Sequence, residues 1–143
     1  MNSGGVPGIN GVVETVLYVD DMARATRFYR SVMGLRVMTG DPARFQAFEA
    51  GKSQVLLLFK RGATLEPAPM PGGVIPPHDG HGPHHIGFAI TATDYEIWKQ
   101  HLRAHGVAIE SETTWPPGGR SLYFRDPDRH LLELITPGIW ENY

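Results

Sequence analysis

Residues 12–34 read VVETVLYVDDMARATRFYRSVMG, and this stretch decides the fold. The β-branched run 12–19 predicts a strand, and Asp20 or Asp21 can cap the helix that follows at 22–33. Apolar side chains recur along that helix at helical spacing, arginines occupy its other face, and Gly34 stands where a left-handed cap belongs. A strand followed by an amphipathic helix predicts a helix that packs on a sheet.

Three more β-like runs complete the first half of the chain, at residues 35–39, 44–50 and 54–60. Turn residues 51–53 separate the last two runs. The first half is therefore predicted to be a βαβββ module. Residues 62–83 then hold six prolines and five glycines without apolar periodicity, which predicts a linker or a long surface loop.

The second half repeats the order of the first. A strand is predicted at 84–90, a helix at 94–105 opened by a capping box at 93–96 and ended by Gly106, and strands at 107–110, 121–125 and 131–136. Glu14 corresponds to His85, Phe48 to Phe124, and residues 55–58 to 131–134. We therefore expect an internal duplication within a single domain spanning 1–143. Its parts are a first module at 11–61, the linker at 62–83, a second module at 84–137 and a tail at 138–143.

Composition narrows the classes of function. The 143 residues suit one α+β domain, and a net charge of −2 without a basic cluster argues against nucleic-acid binding. The absence of cysteine excludes disulfides and thiolate chemistry, so a metal would need His and carboxylate ligands. Residues 1–11 lack a signal-peptide pattern, and the longest apolar run, 55–59, is far shorter than the roughly 20 residues of a membrane span. We expect a soluble cytoplasmic protein.

Strand alternation singles out three ligand-competent residues. Glu14 shares a face with Val16 and Tyr18, whereas His85 lies opposite the bulky apolar face that should point to the helix. Glu133 lies in the middle of an apolar strand, where a carboxylate is costly unless it is paired or bound to a cation. Taken singly, each residue could instead be solvent-facing, ion-paired or an ordinary hydrogen-bonded residue.

An imidazole with two carboxylates suits one divalent ion such as Mn²⁺, Fe²⁺, Ni²⁺, Co²⁺ or Zn²⁺, and leaves coordination positions open to water or substrate. Glu14, His85 and Glu133 are therefore the predicted metal ligands. Ser121 and Tyr123 are predicted to share a strand face beside this site, and either can bind substrate, with Tyr123 also a candidate for proton transfer. Tyr18 and Arg120 complete the predicted substrate-binding residues, although Arg120 should point away from Ser121 because neighbours in a strand alternate.

Three strings give the sequence a resemblance to a known family. They are ETVLYVDDMARATRFYRSVMGLRV, GPHHIGFAI ahead of a helix ending in LRAHGV, and GGRSLYFRDPDRHLLELITPG. Together they resemble the vicinal-oxygen-chelate superfamily, also called the glyoxalase, bleomycin-resistance and extradiol-dioxygenase family, over residues 11–138. The most specific pieces are VDDM-x₅-FY and YFRDPD-x₃-LEL. The resemblance implies paired βαβββ modules whose mixed sheets curl into a cup around a divalent metal.

Position by position, the resemblance places the family's three ligands at Glu14, where a histidine is usual, at His85 and at Glu133. The fourth ligand of glyoxalase I would fall at Leu57, which argues against lactoylglutathione lyase activity. Fosfomycin-modifying members have a histidine as first ligand, where this chain has Glu14, and a hydroxyl two residues later, where this chain has Val16. Ser121 and Tyr123, however, match polar positions of their pocket. Small extradiol dioxygenases use two histidines and one glutamate. Bleomycin-binding members carry apolar residues at the ligand positions, which this chain does not.

The resulting prediction is a metal-dependent enzyme of this superfamily, of lyase, isomerase or dioxygenase type, acting on a small oxygen-chelating substrate. Either Glu14 or Glu133 can act as general base. By resemblance the protein is expected to be a homodimer in which modules are exchanged, so that Glu14 meets His85 and Glu133 of its partner. The substrate, the metal and the reaction depend on loops 62–83 and 112–120 and stay open.

The rival prediction is a non-catalytic binding protein that sequesters a small aromatic or toxic compound in the same cup. Trp98, Trp115, Tyr123 and Trp140 offer the aromatic surface for such a role, with Trp98 better explained as helix core. A third alternative is a purely structural metal that closes the cup without chemistry.

Overall fold

A computed structural model describes residues 4–143 and contains two sheets of four strands, each with one helix. Residues 1–3, where the N-terminal targeting prediction begins, lie outside the described part. The first module consists of β1 (Glu14–Val19), α1 (Met22–Ser31), β2 (Arg36–Asp41), β3 (Phe45–Glu49) and β4 (Val55–Lys60). A hairpin of β5 (Ala68–Met70) and β6 (Gly73–Ile75) follows. The second module consists of β7 (His85–Ala89), α2 (Tyr95–Ala104), β8 (Ile109–Thr114), β9 (Arg120–Arg125) and β10 (Leu131–Ile135).

The two sheets have the same topology. Their strand orders are β1-β4-β3-β2 and β7-β10-β9-β8, and in each sheet the first strand pairs in parallel with the last. The remaining pairs are antiparallel. Two βαβββ modules and an α+β fold are therefore confirmed.

The strand register shows which residues of the two modules occupy equivalent positions. Glu14 pairs with Val55 at the start of the first sheet, and His85 pairs with Leu131 at the start of the second. Two residues further along the last strand of each sheet stand Leu57 and Glu133. The equivalence of residues 55–58 with 131–134 thus follows the hydrogen-bonding register.

Both helices end alike but begin differently. The glycines after them, Gly34 and Gly106, have φ angles of +71° and +70°, the left-handed region that favours glycine. The Asp21 side chain caps α1 by accepting from the backbone N–H of Arg24. The capping box predicted at 93–96 is wrong, because Asp94 is already in a helical conformation and its N–H donates to the hydroxyl of Thr91. No helix in residues 4–143 is long and apolar enough to cross a membrane.

A single core joins the two modules. Buried side chains from both sheets and both helices form it, including Tyr29, Phe48, Tyr95, Leu102 and Phe124. This core covers one face of each sheet, and the candidate site lies on the other face of the second sheet.

Polar contacts in the core also tie the modules together. The Tyr29 hydroxyl donates to Asp126 Oδ2 at 2.6 Å. His130 Nδ1 accepts from the His84 N–H at 2.8 Å, so its Nε2 carries the proton and donates to the Tyr18 carbonyl at 2.7 Å. His130 is fully buried, which makes this neutral histidine part of the joint between the modules.

The Pro- and Gly-rich segment 62–83 is more structured than the sequence predicts. It contains the β5–β6 hairpin, and the fully buried Thr64 exchanges hydrogen bonds with the backbone of His78. The His78 ring then packs edge-on against Phe59, with centroids 4.5 Å apart. Strands of three residues are too short to produce a recognisable period, which explains why a linker was predicted.

Candidate metal centre

His85 and Glu133 lie next to each other on the face of the second sheet that the helix does not cover. Their strands β7 and β10 are paired in parallel, and His85 Nε2 lies 3.2 Å from Glu133 Oε1. The His85 side chain is 52% exposed and that of Glu133 only 9%, so the carboxylate is buried at the base and the imidazole borders solvent. Gly87, opposite Glu133 in the register, makes room for the Ile135 side chain beside this pair, since a Cβ at Gly87 would lie 2.6 Å from Ile135 Cδ1.

The hydrogen bonding of His85 fixes its tautomer. Its Nδ1 lies 2.9 Å from the Leu131 carbonyl oxygen, which can only accept, so Nδ1 carries the proton. In neutral His85, therefore, Nε2 presents a lone pair, and that lone pair faces the Glu133 carboxylate. Two acceptors at 3.2 Å repel each other unless a proton or a cation lies between them.

A divalent cation fits this pair. Metal–ligand bonds of about 2.0–2.2 Å, at angles between octahedral and tetrahedral values, separate adjacent ligand atoms by roughly 3.0–3.5 Å. The observed separation of 3.2 Å falls in that range. The Nδ1–H bond to a backbone carbonyl is also the usual outer hydrogen bond that orients a metal-binding histidine.

Glu14 is not part of this pair within one chain. It opens β1 in the other module and its side chain is exposed. Among residues 4–143, no three His, Asp or Glu side chains come together as a metal-binding group. A single chain thus brings together two of the three predicted ligands.

Tyr123 is the polar side chain nearest to the pair on β9. It stands directly opposite Glu133 in the strand register, and its ring centroid lies 6.5 Å from that of His85. Burial and the charge of Glu133 raise the pKa of Tyr123, because both disfavour the phenolate. Tyr123 therefore keeps its proton at neutral pH and can donate it to a neighbouring oxygen.

Ser121 is on the same face but its hydroxyl is already engaged. The side chain is fully buried, and its Oγ accepts from the Trp115 indole N–H at 2.8 Å. Within this chain, Ser121 orients Trp115.

The structure does not bring Arg120 or Tyr18 to the pair. The Arg120 guanidinium lies 3.7 Å from the centre of the Tyr95 ring and bonds to Glu96, on the helix-covered side, because strand neighbours alternate faces. Tyr18 is at the far end of β1 from Glu14, where its hydroxyl bonds to His78 Nδ1. Burial and the charge of Asp79 raise the pKa of Tyr18.

A groove extends from Glu133 and Tyr123 toward the C-terminal tail. Its other lining residues come from the turn after β8 and from the tail, namely Trp115, Pro116, Pro117, Ile139 and Trp140. The sequence pattern identified the two tryptophans as aromatic surface but missed Ile139 and the prolines. The Gly118, Gly119 and Gly138 cluster was the available signal, since such glycines allow two backbones to approach closely.

A larger apolar cleft lies between the modules, lined by residues such as Val12, Val55, Ile86, Phe88 and Leu134. No His, Asp or Glu lines it. Of these two cavities, the groove beside Glu133 therefore has the better chemistry for a reaction.

Comparisons with known proteins agree with this architecture. FosX, a fosfomycin resistance protein of Listeria monocytogenes, is 30% identical over 137 residues, covering 94% of this chain and 95% of its own. A crystal structure of lactoylglutathione lyase from Agrobacterium tumefaciens is 31% identical, with a TM-score of 0.85 over 94% of this chain and 99% of that one.

A third relative shares the fold. It is a mutant FosX from Listeria monocytogenes, crystallised with Mn(II) and 1S,2S-dihydroxypropylphosphonic acid. Its TM-score is 0.65 at 23% identity, covering 89% of this chain and 90% of that one.

The family model described as the Glyoxalase/Bleomycin resistance protein/Dioxygenase superfamily matches residues 11–134, nearly all of both modules. The shared core and the His85–Glu133 pair lie within the matched region. The chain belongs to the Glyoxalase/Bleomycin resistance protein/Dioxygenase superfamily.

Proposed function

We propose that the protein is a metal-dependent enzyme acting on a small substrate that chelates the metal through oxygen atoms. The observation that carries the proposal is that His85 Nε2 faces the buried Glu133 carboxylate at 3.2 Å while Nδ1 is bonded to the Leu131 carbonyl. A pair without metal needs a second proton on His85 Nε2, and a divalent cation would take the place of that proton. A neutral imidazole with its proton fixed on Nδ1 is instead suited to bind a cation jointly with the carboxylate.

The residues around the pair have different proposed roles. A bound divalent ion supplies Lewis acidity, which polarises a substrate oxygen or acidifies a water molecule. Tyr123 holds a proton next to Glu133 and can donate a hydrogen bond to a substrate oxygen. Glu14 and Glu133 are the candidate general bases, and the reaction type stays open between lyase, isomerase and dioxygenase chemistry.

We further propose that the third ligand, Glu14, comes from a second copy of the chain. Glu14 is exposed on the first module, and within one chain it does not join His85 and Glu133. Module exchange in a homodimer would bring the free face of one copy's first sheet to the second sheet of the other. Each dimer would then hold two equivalent sites.

The relatives guide the choice of substrates to test. FosX and the metallothiol transferase FosB of Staphylococcus saprophyticus are named for fosfomycin and metal chemistry, the latter 25% identical over 90% of this chain. Fosfomycin and lactoylglutathione therefore belong in the first screen. Leu57, at the position of the fourth glyoxalase I ligand, argues against the second of these.

A binding protein that sequesters an aromatic compound is the second candidate. The groove with Trp115 and Trp140 favours it. The two functions differ in their need for metal, because sequestration alone gives no reason to bury Glu133 beside His85 Nε2.

Metal content decides between these candidates. The wild type is reconstituted with Mn²⁺, Fe²⁺, Co²⁺, Ni²⁺ or Zn²⁺, desalted and measured by plasma mass spectrometry beside Glu133→Gln. We expect about one ion per protomer in the wild type and much less in the variant. Glu66→Gln, which removes an exposed carboxylate in the 62–83 segment, is the matched control. No retained metal in the wild type would refute the enzyme proposal.

Mixing two defective variants tests the shared site. Glu14→Gln and His85→Ala are each expected to lose metal. In a mixed dimer built by module exchange, one site carries both defects and the other is intact, so refolding the variants together restores metal to a fraction of the sites. If each site is contained within one chain, mixing restores nothing.

A further inference from the structure

The groove beside Glu133 has the structure of a binding site for an apolar group. It encloses about 420 Å³, within the usual range for small-molecule pockets, and it opens beside Tyr123 and Glu133. Two prolines, an isoleucine and two tryptophans form the rest of its lining. A ligand whose oxygens lie at the metal pair has this groove as its neighbouring space.

Several contacts hold the walls of the groove in place. The Trp115 indole N–H donates to the buried Ser121 hydroxyl at 2.8 Å, which fixes the orientation of the ring. The Gly119 N–H donates to the Gly138 carbonyl at 3.1 Å, and these backbones lie so close that a Cβ on Gly119 would be 2.8 Å from Gly138 C. The Tyr143 hydroxyl anchors the tail to the Ile135 carbonyl at 2.9 Å.

The groove lacks the chemistry to bind an anion. Glu133 is the one charged residue among its described lining residues, and its charge is negative. Arg120, three residues before Tyr123, is held on the opposite face by Tyr95 and Glu96, and Arg125, two residues after Tyr123, is paired with Glu110. A phosphonate or carboxylate at this position would meet aromatic surface and a like charge.

We propose that the groove between Trp115 and Trp140 binds a flat, uncharged apolar part of the substrate, whose oxygens face the His85–Glu133 pair. Trp140 is 66% exposed, so an aromatic ring placed against it would cover surface that water now contacts. The inference rests on the proposed function, because it assigns the substrate class of that same site. It predicts selectivity for chelators that carry a planar apolar substituent over small or anionic ones.

Two hydroxamic acids test the proposal, because both chelate through the same two oxygens. Benzohydroxamate carries an aromatic ring and acetohydroxamate a methyl group. Their dissociation constants for the metal-loaded protein are measured by calorimetry, and the ratio of the two constants is compared between variants. Intrinsic differences in chelation cancel in that comparison.

We expect the wild type to favour benzohydroxamate, and Trp140→Ala to reduce that preference about tenfold while leaving acetohydroxamate binding unchanged. Trp140→Phe should retain most of the preference. The control is Ile97→Ala, which removes an apolar side chain that is 59% exposed on α2, outside the groove. This control should leave the ratio unchanged.

The other outcomes separate the two proposals. If both hydroxamates bind and Trp140→Ala leaves their ratio unchanged, the groove proposal is wrong and the metal site stands. If neither hydroxamate binds the metal-loaded wild type, the proposed chelating site is wrong. If benzohydroxamate binds equally well without metal and loses affinity in Trp140→Ala, the groove is an aromatic site and the protein sequesters its ligand. If Trp140→Ala changes the dimerisation constant instead of the ratio, the groove is covered by a second copy and the inference fails.

Discussion

The two modules share one fold but have different chemistry. Strand order and helix ends agree, yet equivalent positions hold Glu14 and His85, and Leu57 and Glu133. The free face of the first sheet is covered near Tyr18 and Phe59 by the ring of His78. The corresponding face of the second sheet remains open. The two modules thus share one scaffold, and differences at equivalent positions place two of the three proposed ligands, His85 and Glu133, in the second module.

The largest expected effect comes from removing the charge of Glu133, which has no counterpart at Leu57 in the first module. Glu133→Gln keeps the shape but loses the charge, and we expect metal affinity to fall by at least about a hundredfold, measured by competition with a chelator of known affinity. Without metal and with His85 neutral, the variant should be as stable as the wild type or more stable, because the carboxylate no longer faces the Nε2 lone pair. A metal-free variant that is clearly less stable would contradict our account of the pair.

The reverse change places a carboxylate in the first module. Leu57→Glu puts an acid at the position equivalent to Glu133, on a strand paired with the one that carries Glu14. We expect a loss of about 1–3 kcal/mol in the unfolding free energy without metal, and a partial recovery when Mn²⁺ or Zn²⁺ is added. Leu57→Gln is the matched control, which should be destabilised without any recovery. Equal responses to metal in both variants would show that the added charge does not reach a cation site.

The next largest effect is expected on stability, from the hydrogen bond between Tyr29 and Asp126 that joins the modules. Tyr29→Phe removes the hydrogen bond to Asp126 Oδ2, and we expect a loss of about 1.5–3 kcal/mol in denaturant unfolding at neutral pH. Tyr143→Phe, which removes an exposed hydroxyl from a backbone carbonyl, should cost less than about 1 kcal/mol. Similar losses in both variants would mean that the buried Tyr29–Asp126 hydrogen bond contributes no more to stability than an exposed one.

The pH dependence of that loss follows from Asp126. Burial raises the pKa of Asp126 above its ordinary value, while the Tyr29 hydrogen bond lowers it. Because ionisation of Asp126 is unfavourable in the folded protein, its contribution to the unfolding free energy decreases as pH rises from the ordinary Asp range through the raised pKa. Removing Tyr29 raises this pKa further, so the difference between wild type and Tyr29→Phe should grow with pH over this window and then level off. A difference that does not vary with pH would refute the coupling.

Arg120→Ala should have the smallest effect. Its guanidinium stacks on Tyr95 and pairs with Glu96 on the helix side of the sheet. We expect a loss of about 0.5–1 kcal/mol in stability and no change in metal or hydroxamate affinity. A large loss of ligand affinity would show that Arg120 reaches the site in the assembled protein. Lys99→Ala, another cation packed near Tyr95, serves as the control.

The repeating features of the fold could be predicted because they depend on local physics. Asp21 caps α1, Gly34 and Gly106 adopt the left-handed conformation, and alternating side chains divide each strand between core and free face. The candidate pair followed from the same alternation, since His85 and Glu133 interrupt apolar patterns. The capping box at 93–96 failed because a Thr91 hydroxyl outside it supplies the contact.

The sequence by itself determined the two modules, their equivalent positions and the residue types able to hold a metal, because period, caps and turn residues are local properties. Only the tertiary structure decided that His85 Nε2 faces Glu133 at 3.2 Å, that Arg120 turns to the helix side, and that buried His130 joins the modules. The groove between Trp115 and Trp140 likewise exists only because the tail returns to the turn after β8. These features depend on contacts between residues distant in the chain, and no local pattern encodes such contacts.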